Sequence, residues 1–136
     1  CLNLARFKKE NKELLTYLLF EASNEEHFVE TIKELMDELF EDINTKNYFF
    51  IRKSMRKILT QVKKYIRYSK KKETEAELLL YYCKKMKNFY PPIDQSVRLQ
   101  SIFETQIKMI CKAIEKLHED LQYDYKLELE DLLDEA

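Results

Sequence analysis

The chain has 136 residues, 45% of them hydrophobic and 36% charged, with a formal net charge of −1, two prolines and no glycine or tryptophan. That length and apolar content are enough to bury one core and exclude disorder throughout. Average usage would supply about nine or ten glycines. Their absence rules out the usual forms of the phosphate-cradling loop, the dinucleotide fingerprint and the nucleophile elbow, all of which need a residue without a Cβ.

Apolar residues recur at helical spacing and predict an all-α bundle of five main helices, at about 4–22, 24–42, 45–70, 73–89 and 95–121. The chain reads as a single helical domain over 1–136, with 123–136 a weakly docked acidic tail that is short and helical. Left-handed positions between helices should fall to asparagine, the best-tolerated residue there after glycine, and Asn24, Asn44, Asn47 and Asn88 lie near the breaks.

In the first predicted helix Leu14, Leu15, Leu18 and Leu19 face inward. The second opens on Ser23-Asn24-Glu25-Glu26, read as a capping box, and carries Phe28, Ile32, Leu35, Met36, Leu39 and Phe40. Asn44 or Asn47 caps the third, whose apolar side runs through Ile51, Met55, Ile58, Leu59, Val62 and Ile66. No residue from 69 to 75 is apolar, and Thr74 with Glu77 gives a second capping box, so the chain is expected to break before the fourth helix. Tyr90-Pro91-Pro92 removes two backbone donors and ends that helix. Asp94 or Ser96 caps the fifth, which buries Leu99, Phe103, Ile107, Ile110, Ile114, Leu117 and Leu121. Helices two with three and four with five also form pairs starting about 49 residues apart, near the period of HEAT or armadillo repeats, so two HEAT-like pairs are the alternative architecture.

Charge is distributed unevenly. Residues 46–72 hold eleven basic side chains and no acidic one, leaving the other 109 residues with 13 basic and 25 acidic. On a helix, Arg52, Lys53, Arg56, Lys57, Lys63, Lys64 and Arg67 fall opposite the apolar side. This basic face is the candidate binding surface. The field of its seven cations is either neutralised internally, by the nine acids against Lys33 alone over 21–42, or offered to an acidic partner. The expected function is therefore a non-enzymatic interaction or adaptor role, with an unknown protein or a second copy of the chain as partner. Nucleic acid is the alternative partner: the stripe spans about 22 Å of helix, enough for several phosphates. Tyr48, Phe49, Tyr65 and Tyr68 could stack on unpaired bases.

A metal-dependent bundle enzyme is the third reading. Glu115 and His118 have the Glu-x-x-His spacing of di-iron bundles, with Cys111 on the same flank. The motif stands alone, because His27 has Asn24 where the second glutamate should be. No catalytic, cofactor or metal residue is assigned, and no small-molecule ligand is indicated. Cys83 lies among Leu79, Tyr82 and Met86 and reads as a small buried hydrophobe. Tyr48, Tyr68, Tyr81, Tyr123 and Tyr125 are expected near the surface, where tyrosine provides contact area at low entropy cost.

Three widely spaced cysteines, Cys1, Cys83 and Cys111, fit no disulfide framework and suit a reducing cytoplasm. No run of apolar residues approaches a membrane span, so a membrane partner is not expected. Cys1 in place of methionine fits a truncated chain better than a lipidated end, since Leu2, Leu4 and Phe7 leave no polar tether. The lysine-rich, glycine-free composition reads as bacterial.

Overall fold

Side-chain caps set the starts of three helices in the computed structural model, which describes residues 24–134. The Asn24 side chain accepts from the His27 N–H, Asn47 from the Phe50 N–H and Ser96 from the Leu99 N–H, each satisfying a donor that the first helical turn leaves orphaned. Five α-helices follow among the described residues: α1 (Glu25–Glu41), α2 (Tyr48–Ser69), α3 (Lys72–Lys87), α4 (Val97–Glu115) and α5 (Glu119–Asp134). A 3-10 turn, Ile93–Gln95, lies between α3 and α4. No strand occurs among these residues, and no helix is long and apolar enough to cross a membrane. The fold is an all-α bundle. The predicted helix at 4–22 and the capping role of Ser23 fall outside the described residues.

The core forms around α3, which packs against α1, α2, α4 and α5, most extensively against α4. Leu78, Leu79, Leu80, Tyr82, Cys83 and Met86 are all buried and point in several directions around its axis, as expected for a helix surrounded by neighbours. Phe28, Ile32, Met36 and Phe40 of α1 and Ile51, Met55, Ile58 and Val62 of α2 close on it from one side. Phe40 meets the Tyr82 and Phe89 rings edge-on, a favoured aromatic geometry. The Tyr82 hydroxyl donates to the Met55 carbonyl at 2.7 Å, so a buried phenol is hydrogen-bonded rather than orphaned.

Several local expectations change. Thr74 does not cap α3, which begins two residues earlier after Lys71 with no side-chain cap. The Thr74 hydroxyl is buried and donates instead to the Glu25 carboxylate, which also accepts from Ser69 Oγ, so one carboxylate of α1 binds the α2–α3 junction. The left-handed residue among those described is Lys70, with φ 60°, and not an asparagine.

The predicted fifth helix stops at Glu115 rather than near 121, and the acidic stretch forms a sixteen-residue helix of its own. The Gln122 side chain donates to the Glu115 and Leu117 carbonyls, satisfying the C-terminal acceptors of α4. His118 Nδ1 accepts from the Asp120 N–H and its carbonyl accepts from the Gln122 N–H, which starts α5. Tyr125, Leu129 and Leu132 are buried, and Lys87 Nζ donates to the Leu132 carbonyl. The start expected at 123 therefore lies inside a helix that packs on α3 and α4.

Candidate functional site

Seven α2 cations share the side of the helix away from its buried residues. Ile51, Met55, Ile58, Leu59, Val62 and Tyr65 are buried, and at about 100° per residue the seven basic positions fall on the other side. Lys53, Arg56, Lys57 and Arg67 are exposed, while Arg52, Lys63 and Lys64 are half-buried along the flanks. Among the described residues none of the seven forms an ion pair; the Arg52 guanidinium lies 5.6 Å from the centre of the Phe49 ring. Phe49 and Tyr68, both 56% exposed, stand at the two ends of the stripe.

The ion pairs of α1 to another described helix go to α3 and not to α2, although α1 packs on α2. Asp37 faces Lys85 at 3.0 Å and Lys33 faces Glu77 at 3.5 Å, and both pairs join α1 to α3. Tyr81 donates to Asp37 at 2.6 Å and its ring takes the Lys33 ammonium at 5.3 Å. Burial raises the Asp37 carboxyl, but the Tyr81 hydrogen bond and the Lys85 ammonium outweigh it and hold the group below the usual aspartate range. Burial pushes the Tyr81 phenol up to about 12, aided by the Asp37 carboxylate. Contact neutralisation of α2 by α1 is thus not how these two helices use their charges.

The other candidate groups are dispersed. Cys83 is buried in the core, and desolvation pushes its thiol up to about 12, so it is neutral and inert at physiological pH. Cys111 is exposed. Glu115 and His118 are exposed too, and the His118 ring serves the start of α5. No group of three metal-ligating side chains converges among the described residues. Of the tyrosines expected near the surface, Tyr68 and Tyr123 are exposed, Tyr48 and Tyr81 half-buried, and Tyr125 buried with its hydroxyl donating to Glu73.

An open groove of about 580 Å³ between the end of α3 and the start of α4 is lined by Lys87, Asp94, Gln100, Phe103 and Leu133. Lys87 is already occupied by the Leu132 carbonyl. Helical spacing gave no sign of this groove, because the proline loop and the end of α5 meet there only in the folded chain.

Neither protein-family models, nor curated proteins, nor solved structures give a match to this chain.

Proposed function

We propose that the chain is a non-enzymatic interaction module that offers the cationic side of α2 to an acidic partner. One observation carries this reading: the seven cations have no ion-pair partner among the described residues, while the ion pairs that the adjacent α1 makes to another helix, Asp37 with Lys85 and Lys33 with Glu77, go to α3. Holding like charges along one helix face costs self-repulsion, and an incoming row of carboxylates or phosphates relieves it. The buried, neutral Cys83 offers no nucleophile, and the free thiols of Cys83 and Cys111 among the described residues suit a reducing cytoplasm.

The test is fluorescence anisotropy of labelled polyglutamate against the intact chain and against an Arg56→Glu, Lys63→Glu, Lys64→Glu variant. Binding should weaken steeply as salt rises and should be lost in the variant, whose far-UV circular dichroism and melting temperature remain near wild type. Equal binding by both proteins would remove α2 as the surface.

A second reading, single-stranded nucleic acid, is favoured by Phe49 and Tyr68, because exposed rings beside cations suit base stacking as well as phosphate contact. It predicts tighter binding of single-stranded DNA than of polyglutamate, and loss on Phe49→Ala with Tyr68→Ala.

A further inference from the structure

The same chain carries a second unpaired stripe, of opposite sign. Between Glu119 and Asp134, α5 holds seven carboxylates against Lys126, and all seven are exposed. Among the described residues their one ionic contact is Asp120 with the neighbouring His118 at 3.8 Å, which is charged only when the imidazole is protonated. Tyr123 and Leu127, 65% and 44% exposed, stand one turn apart within this acidic surface. α5 packs on α3 and α4, whereas α2 packs on α1 and α3, so the two stripes lie on helices that make no extensive contact with each other.

The stripes match in length and in spacing. Arg52 to Arg67 and Glu119 to Asp134 are each fifteen residue steps, or about 22 Å of helix. Lys53, Lys57, Thr60 and Lys64 follow i, i+4, i+7 and i+11; Asp120, Asp124, Leu127 and Asp131 follow the same series. Such positions form one strip along a helix. Laid in parallel register, each of the three lysines meets a carboxylate, and the uncharged Thr60 meets Leu127.

We infer that the acidic partner of α2 is α5 of a second copy of this chain, so that the protein self-associates head to tail; the inference rests on the interaction reading above. Because the two faces differ, a head-to-tail pair still has one free face of each kind, one on each copy, and growth continues into a ring or a filament instead of stopping at a two-fold dimer. A contact made by one helix from each copy lies at the small end of specific interfaces. Association should therefore depend on concentration and give way to salt.

Sedimentation velocity on the intact chain under reducing conditions tests this, from about 10 μM to about 1 mM and at about 50 and 500 mM salt. At low salt the average mass should rise with concentration above the 16.6 kDa monomer, and high salt should return it to the monomer. Lys57→Glu with Lys64→Glu, and separately Asp124→Lys with Asp131→Lys, should each stay monomeric. Mixing these two variants should restore association, because one retains the native α5 and the other the native α2. The mixture also keeps the test meaningful should either variant alone be less stable, since only a folded pair with complementary faces gains mass on mixing.

Wild-type protein that stays monomeric throughout, or that associates equally well in both variants, overturns the inference. Polyglutamate titrated in the same low-salt buffer separates this failure from that of the broader reading. A monomer that binds polyglutamate through α2 loses the self-association and keeps the interaction role, whereas a monomer that binds neither loses both. A monomer that instead takes single-stranded DNA overturns the inference in favour of a nucleic-acid partner.

Discussion

Lys85 Nζ lies 3.0 Å from Asp37 Oδ1 across the α1–α3 contact, and the Tyr81 hydroxyl donates to the same oxygen. The ion pairs that α1 makes to another described helix, Asp37 with Lys85 and Lys33 with Glu77, both go to α3 and none goes to α2, which leaves the cations of α2 to other partners.

Replacing Asp37 with asparagine keeps an acceptor for Tyr81 and removes the charge. Both partners are part-exposed, so the loss should be modest, about 0.5–1 kcal/mol at neutral pH. Its pH dependence has a definite sign. The folded carboxyl titrates below the ordinary aspartate value of about 3.9, so its contribution is fully present above that value and disappears as pH falls through the lower, folded value. Urea unfolding of wild type and Asp37→Asn should differ at pH 7 and draw together at an acid pH below the range in which the folded carboxyl titrates. A difference of the same size at both pH values would mean that the aspartate acts by shape and not by charge.

Gln106 carries a prediction of opposite sign. It is 3% exposed, and its Oε1 is the buried side-chain polar atom without a hydrogen-bond partner among the described residues. An amide acceptor taken out of water without compensation costs about 1–3 kcal/mol. Gln106→Met removes the amide at nearly constant volume and should raise stability by about 1–2 kcal/mol, read as a higher urea midpoint at unchanged m value. Gln106→Ala opens a cavity at the same position and should not share that gain. A less stable methionine variant would show that the amide holds a partner such as an internal water.

The same residue shows where sequence and structure part. Leu99, Ile110 and Ile114 are buried as their spacing requires, but Ile102, Gln106 and Ala113 are buried too, while Phe103 and Ile107 lie half-exposed. The buried arc is turned by about 40° from the centre of the apolar residues. Contact with α3 and α5 sets that rotation, which the pattern of a single helix cannot encode. Starts of helices were more legible, because Asn47 and Ser96 cap through contacts three residues away. Thr74 misled for the converse reason: its hydroxyl partner is Glu25, 49 residues distant. The break before α5 carries no glycine or proline, being made by the side chains of His118 and Gln122. At the candidate site, the count and phase of the α2 cations were visible in the sequence. That Asp37 would take Lys85 of α3 was not, since that depends on how three helices are rotated against one another.

Two thiols of contrasting environment give a direct check on the packing of α3. Cys83 is fully buried and burial pushes its thiol up to about 12, whereas Cys111 is exposed on α4. The thiolate is the reactive species, so at pH 8 Cys83 is protected twice, by exclusion of the reagent and by scarcity of the anion. Iodoacetamide labelling followed by peptide mass spectrometry should modify Cys111 within minutes and leave Cys83 unmodified until the core opens. Adding denaturant should bring Cys83 labelling up together with the loss of helical circular dichroism, because the residue sits among Leu79, Tyr82 and Met86 in the cooperative centre of the bundle. Rapid labelling of Cys83 in native buffer would mean that α3 is not the enclosed helix around which α1, α2, α4 and α5 pack. The rotation that directs Asp37 and Lys33 toward α3, and frees the cations of α2, would then lose its foundation.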